Sequence, residues 1–567
     1  MKKRVLLGIL GLGVAGWGLL RIRQRLVSRW MDLPPAQYQV RVERNLRIPM
    51  PDDVTLVADH YFPAASGNFP TILIRTPYGR TIGAALFFMA PRFAERGYHV
   101  ITQDTRGRAA SEGTFDPFRH EAADGQATLD WIVSQPWCNG VVGMWGASYL
   151  GYVQWALASS APPALKAIVP IISSAQFVSL IRPAGRFNLD TMLRLTFVVD
   201  ALDIGRRHSL PAALWRLMRQ EQILAPAMQH LPLIETDTQA VGTPVAYYRD
   251  WLTHPLTDAY WQAMDHRHGL KTLIAAPHLI AGWYDIFLGD QLADYLALKA
   301  AGKAVYLTVG PWYHFDANHT FATMRESLDW FEAHLKGDHS RLRRHAVRIY
   351  VMGANEWREM EDWPPPAHMT HYFLQSGQQL SIAQPDAHAL PDRYGYNPAD
   401  PTPIVGGTIF HPQAGARDNR PLEARADVLC YTTAPLTRDT QVIGPVRLEL
   451  YVRSNLTHTD FFGRLCDVHP DGRSMNICDG LFAIEPGQGE PQPDGSLRIE
   501  IDMWATAHRF RQGHRIRLQV SSGAHPRWVR NLGTGEPLAT GRGMVVAEQE
   551  IYHDQAHPSA LVLPLVL

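Results

Sequence analysis

A mostly parallel α/β sheet, interrupted by a helical insertion and followed by an all-β module, is the architecture this sequence predicts. Three observations predict it. Strand and helix signals alternate from about residue 40 to 172 and again from about 273 to 362, the rhythm of a parallel sheet covered by helices. Between these blocks, residues 173–272 carry helical periodicity and few strand candidates. Beyond the proline-rich break Trp363-Pro-Pro-Pro-Ala367, short alternating segments recur with turn signals and little helical pattern, as in a β-sandwich.

The elements follow in chain order. Residues 54–61 alternate as a strand, 71–74 and 99–103 read as buried strands, 116–134 as a helix, and 167–172 as another apolar strand. Helices are expected at 189–204 and 210–224. An insertion at that point lies over strand ends as a cap and selects which groups reach a site beneath it. The sheet resumes with a strand from Pro277, a helix at 289–301 and a strand from Val305. Residues 446–452, 497–503 and 516–521 are strands of the last module. The expected units are an N-terminal segment 1–30, a sheet domain built from 31–172 and 273–362, a helical cap 173–272 and a β-sandwich 368–567.

Composition narrows the function classes. A chain of 567 residues exceeds a single core. With 54 basic and 54 acidic residues and no long basic run outside the N-terminus, a nucleic-acid partner is not expected. The apolar run from Val5 to Leu20 has basic residues on both sides. It reads as a signal-anchor helix in preference to a cleaved signal peptide, and hence as a membrane association through residues 5–20. The flanking charges do not choose an orientation. Cys138, Cys430, Cys466 and Cys478 lack metal or redox spacing. Cys466 and Cys478 face each other across a hairpin turning at His469-Pro-Asp-Gly472, so a bridge and two free buried thiols are both open.

Chemistry concentrates at Val141-Val-Gly-Met-Trp-Gly-Ala-Ser148-Tyr-Leu-Gly151. An apolar strand runs into a Gly-x-Ser turn and then a helix, the outline of a turn that lifts a serine hydroxyl clear of its surroundings. The helix N-terminus points its amides at the position of a developing oxyanion. Leu150 stands where such motifs usually carry a second glycine, and Gly151 follows it. A serine nucleophile needs a base, and the base an orienting carboxylate. Asp285 ends the strand Pro277-His-Leu-Ile-Ala-Gly-Trp-Tyr-Asp285, and His314 follows Val305-Tyr-Leu-Thr-Val-Gly-Pro-Trp-Tyr. Parallel strands place both on the sheet edge that carries Ser148. The trio His314, Asp316 and His319 lacks the helical spacing of a metal-hydrolase motif, and neither metal nor cofactor is expected.

These residues resemble the cocaine esterase and X-Pro dipeptidyl-peptidase group of α/β-hydrolases. The matching segments are Arg75-Thr-Pro-Tyr78-Gly, Gln103-Asp-Thr-Arg-Gly107 with Ser111-Glu-Gly113, Gly143-Met-Trp-Gly-Ala-Ser148-Tyr149, Gly282-Trp-Tyr-Asp285, Gly310-Pro-Trp-Tyr-His314 and Ser521-Ser-Gly-Ala-His-Pro-Arg527-Trp-Val-Arg-Asn531. The resemblance implies an α/β-hydrolase sheet with a helical cap and a C-terminal jelly-roll sandwich. It implies Ser148 as nucleophile, His314 as base, Asp285 as its orienting acid, and an oxyanion hole made by the Tyr78 phenol and the Tyr149 backbone N–H. The expected chemistry is acyl transfer from a small-molecule substrate to water. Esters are favoured over aminoacyl substrates, because Ile286, Phe287 and Leu288 follow Asp285 where amino-ester hydrolases of the group carry acids. Asp190, Asp200 and Asp203 of the cap remain alternative partners for a substrate ammonium. A membrane-tethered binding protein with an idle triad is the reading from another class. The oligomeric state is not legible.

Overall fold

The structure, a computed structural model, describes residues 28–80, 89–207 and 209–566. The apolar run at 5–20, and with it the expected anchor, lies outside the described residues. Among those described, no helix is long and apolar enough to cross a membrane.

Ten strands form the first sheet: β1 (Val40–Pro49), β2 (Thr55–Pro63), β3 (Phe69–Thr76), β4 (His99–Asp104), β5 (Cys138–Ala147), β6 (Leu165–Ile171), β7 (Ala276–Tyr284), β8 (Tyr306–Tyr313), β9 (Val347–Val351) and β10 (Glu356–Met360). Their order is β1-β2-β4-β3-β5-β6-β7-β8-β9-β10. Pairing is parallel from β4 through β3 to β9 and antiparallel at β1–β2, β2–β4 and β9–β10. The order reverses at β3, so β3 and β5 are neighbours whose following chain turns in opposite senses. Open α/β sheets bind ligands at such a switch point, outside the carboxyl ends of the strands.

The strands form because both faces of the central ones are covered. β6 is buried at every position but Lys166. Helix Asn318–Lys336 crosses β5, β6 and β7. It approaches so closely at Gly143 that a Cβ there would lie 2.8 Å from Phe331. β2 departs from its alternating pattern and is buried nearly throughout, because its buried polar residues are paired. Asp59 pairs with Arg44 at 2.8 Å and Arg80 at 2.9 Å, and His60 hydrogen-bonds His99 at 2.8 Å. The expected helix from 116 starts only at Glu121. Phe118, at φ 74°, instead turns its ring onto Tyr149 at 4.8 Å and donates its N–H to the Tyr149 hydroxyl at 3.0 Å.

Between β6 and β7 the chain is helical: Leu189–Arg207, Leu210–Met218, Gln220–Gln229 and Ala246–Thr253 are its longer helices. The single helix expected over 210–224 is broken at Arg219. After β10, twelve strands from His368–Gln375 to Ala560–Val566 make an all-β domain, antiparallel except where Gln379–Ser381 meets Leu429–Thr432. Backbone hydrogen bonds are among the contacts that stitch it to the rest of the chain. Met352 N–H donates to the Ala507 carbonyl at 2.8 Å, and Asp190 N–H and Val529 N–H link residues 187–190 to 526–529 at 2.9 Å each. The hairpin between Thr459–Val468 and Ser474–Ile484 forms, but Cys478 is registered with Leu465 and Cys466 with Asn476. All four thiols are free.

Candidate active site

Four turns at the carboxyl ends of parallel strands converge on one point. After β5 the chain bends into helix Tyr149–Ala158 with Ser148 at φ 58°, ψ −124°, a conformation that a non-glycine residue holds only under local strain. The Ser148 N–H is tied to the Ile171 carbonyl of β6 at 2.9 Å. Gly146 has φ 151°, and a Cβ on it would meet Leu150 at 2.4 Å. A Cβ on Gly151 would meet Ser173 at 2.4 Å. The displaced second glycine is thus accounted for. Leu150 fills the space over Gly146, and the tight approach falls one residue later.

The hydroxyl sits in a chain of hydrogen bonds. Ser148 Oγ lies 2.9 Å from His314 Nε2, and His314 Nδ1 lies 2.8 Å from Asp285 Oδ2. Asp285 is fully buried, and its other oxygen accepts the Phe287 N–H at 2.8 Å. Both imidazole nitrogens of His314 are therefore engaged. The His314 carbonyl is 3.2 Å from His319 Nε2, and His319 Nδ1 meets the Thr320 hydroxyl at 2.9 Å. Burial pushes His319 down to about 4, so this support stays neutral at physiological pH. The structure thus brings together Ser148, Asp285 and His314, while His319 braces the loop behind them.

Tyr78 follows β3 and its phenol hydrogen-bonds Ser148. Burial pushes it up to about 12, against the opposing effects of the Ser148 hydrogen bond and the Arg108 charge. It remains a proton donor through neutral pH. The Tyr149 phenol points elsewhere, donating to Glu121 at 2.7 Å. Only the backbone amide of Tyr149 is left to face the site, and a first-turn amide has no intrahelical acceptor.

Motif residues that do no chemistry hold this geometry. Arg75 is fully buried, bonded to Gln103 at 2.8 Å and paired with Glu121 at 3.0 Å beneath the elbow. Arg80 pairs with Asp104, and Ser111 donates to the Asp104 carbonyl at 2.8 Å. In the last motif Arg527 pairs with Asp479 and stacks over Trp528 at 4.1 Å. Sequence reasoning missed two contributors. Arg108 donates to the Pro77 carbonyl at 2.9 Å and pairs with Asp203 at 2.7 Å, tying the Tyr78 turn to the cap. Phe410 reaches in from the all-β domain and lies 4.9 Å from the His314 ring. Neither position carries a spacing signal that could have exposed it.

The three cap acids are all committed. Asp190 pairs with Arg194 at 2.6 Å, Asp200 with Arg216 at 3.0 Å and Asp203 with Arg108. Ile286, Phe287 and Leu288 are buried, and the Phe287 ring lies 5.8 Å from His314.

A sheet of this strand order, with a strained serine turn after β5 and an aspartate and histidine after β7 and β8, is that of an α/β-hydrolase. Residues 52–316 match the family described as X-Pro dipeptidyl-peptidase (S15 family), and 343–562 match the X-Pro dipeptidyl-peptidase C-terminal non-catalytic domain. The chain is 36% identical over 571 residues to the cocaine esterase of Rhodococcus sp. (strain MB1 Bresler), covering 93% of this chain and 98% of the relative. The chain belongs to this cocaine esterase and X-Pro dipeptidyl-peptidase family, and it is a serine hydrolase. Among solved structures, an aminopeptidase from a marine sediment archaeon (Thaumarchaeota) superposes with TM-score 0.80 at 23% identity, over 94% of this chain and 98% of that one. An α-amino acid ester hydrolase superposes with TM-score 0.71 at 22% identity over the same shares. Both are likenesses of fold.

Proposed function

We propose that the chain hydrolyses carboxylic esters of neutral acyl groups through an acyl-enzyme on Ser148. The observation that carries this reading is the hydrogen-bond chain Ser148–His314–Asp285, 2.9 Å and 2.8 Å long. Ser148 Oγ attacks the ester carbonyl carbon as His314 Nε2 takes its proton, and the carbonyl oxygen becomes an oxyanion held by the Tyr78 phenol and the Tyr149 amide. Collapse expels the alcohol, protonated by His314. Water, deprotonated by the same nitrogen, then attacks the acyl-enzyme and frees the acid. Asp285 fixes the tautomer that leaves Nε2 able to accept.

The preference for neutral acyl groups rests on charge. A substrate ammonium needs an unpaired carboxylate in the pocket, since a buried charge without a partner is costly. The cap acids named above are neutralised by arginines, and the segment after Asp285 is apolar. Butyrate and benzoate esters are therefore expected to give kcat/KM at least about tenfold above phenylglycine methyl ester and glycyl-prolyl p-nitroanilide. Equal or better turnover of the amino substrates would replace this reading with aminoacyl hydrolysis.

The phenolic donor makes a second expectation. Tyr78→Phe should lower kcat about 10²- to 10³-fold, the usual cost of one oxyanion donor, with little change in KM. A steady-state comparison on one ester checks it. An unchanged kcat would remove Tyr78 from the oxyanion hole.

A further inference from the structure

Outside the hydrolase triad, two neighbouring turns of the all-β domain bring together side chains that the hydrolytic reaction does not use. Asp467 stands near the end of strand Thr459–Val468 and is buried. His469 opens the turn that follows, closed by the Gly472 N–H on the His469 carbonyl at 2.9 Å. His514 ends the turn between strands Leu497–Phe510 and Arg515–Ser521, with its N–H on the Arg511 carbonyl at 3.0 Å. One carboxylate oxygen of Asp467 and one ring nitrogen each of His469 and His514 all lie within 4.8 Å of one another. His514 Nδ1 is 2.7 Å from Asp467 Oδ1, and His469 Nε2 is 3.9 Å from Asp467 Oδ2.

We infer that Asp467, His469 and His514 form a structural zinc site that ties these two turns together. Two imidazole nitrogens and one carboxylate suit a borderline metal such as Zn²⁺ and are the wrong donors for Ca²⁺ or Mg²⁺, which take oxygen sets. Zinc–ligand bonds of about 2.0–2.2 Å bring tetrahedral ligand atoms to about 3.3 Å of each other. The Asp467–His514 pair, hydrogen-bonded at 2.7 Å, opens by about half an ångström as Nδ1 gives up its proton to the solvent, and the half-buried His469 ring closes on the ion by turning on its loop. Both histidines are half-buried, so an ion reaches them from solvent and water completes the fourth position.

A fourth residue supports the assignment independently. His508 is buried, and its Nε2 lies 3.0 Å from Asp467 Oδ2 while its Nδ1 has no partner among the described residues. With Nδ1 unpartnered, Nε2 carries the proton and donates it to Oδ2. That hydrogen bond orients the carboxylate and leaves Oδ1 to the metal, the outer support that metal ligands ordinarily have. The site also has a mechanical setting. Arg511, in the His514 turn, donates to the Gly353 carbonyl at 2.8 and 3.0 Å, and Arg509 N–H bonds the Met352 carbonyl at 2.8 Å. Zinc would stiffen the turn that docks the all-β domain on the β9–β10 hairpin.

The test is a zinc titration of the full chain after chelator stripping, followed by calorimetry and thermal melting. The expected result is one equivalent of Zn²⁺ per chain with a raised Tm, and no response to Ca²⁺ or Mg²⁺. His469→Ala and His514→Ala should each abolish the tight equivalent and the Tm rise, and His508→Asn should weaken binding about 10- to 100-fold. Ester turnover should be unchanged in His469→Ala, whose half-buried turn position spares the fold. No stoichiometric uptake by the stripped chain, or uptake undiminished in His469→Ala and His514→Ala, overturns the proposal.

Discussion

Ser148→Ala is expected to lower kcat by about 10⁶-fold while the protein stays folded. Removing the serine from an intact triad costs about that much, because His314, Asp285 and the oxyanion donors have no nucleophile left to activate. Residual rate enhancement of about 10³–10⁴ over water would persist from the oxyanion donors and binding alone. The fold should survive, since the partners of the Ser148 side chain among the described residues are His314 and Tyr78, both members of the site. Melting temperature should hold, since alanine keeps the Cβ and the turn at φ 58° is unchanged. Ester hydrolysis at saturating substrate, with circular dichroism on the same samples, reads both effects. A variant retaining activity within tenfold of the parent would place the chemistry on another residue.

Asp285→Asn should cost about 10⁴-fold in kcat with KM nearly unchanged. The amide oxygen can still accept the Phe287 N–H, now at 2.8 Å, so the turn after β7 keeps its shape. The amide NH₂ then faces His314 Nδ1, which must give up its proton to accept. Nε2 becomes the protonated nitrogen and can no longer take the proton of Ser148. The effect is one of tautomer rather than of position. A loss smaller than about tenfold would mean that Asp285 merely fills space.

The site was legible where chemistry coincides with a strand end. Ser148, Asp285 and His314 each follow an apolar strand and break its pattern with a turn, so their order and their shared sheet edge follow from the chain alone. Tyr78 was legible only through the family resemblance, because a tyrosine after proline is an ordinary turn residue. Phe410 was not legible at all, since it reaches His314 across a domain boundary and its neighbours carry no periodic pattern. Arg108 reads in the sequence as one more surface charge, yet it is buried between Pro77 and the cap.

The fold shows the same division. Buried strands such as β3 and β6 announce themselves by apolar runs. β1 does not, because Val40–Pro49 is an edge strand exposed over most of its length and carries arginine and glutamate where alternation would be sought. Backbone pairing with β2 supplies what its side chains do not. The hairpin at His469-Pro-Asp-Gly472 was readable from its turn residues, but the offset that sets Cys466 opposite Asn476 comes from a bulge that no spacing rule encodes. Asp190, Asp200 and Asp203 were identifiable as acids near the site. Arg194 lies one turn along the same helix as Asp190 and Arg216 on the next helix from Asp200, but Arg108 reaches Asp203 from the loop after β4, far away in the sequence.

The most direct test of the account is labelling with a fluorophosphonate probe, comparing the parent chain with Ser148→Ala and mapping the modified peptide. An activated serine beside His314 predicts one equivalent of label on Ser148, absent from the variant. Folded parent protein that takes up no label, or label found on another residue, would contradict the acyl-enzyme mechanism.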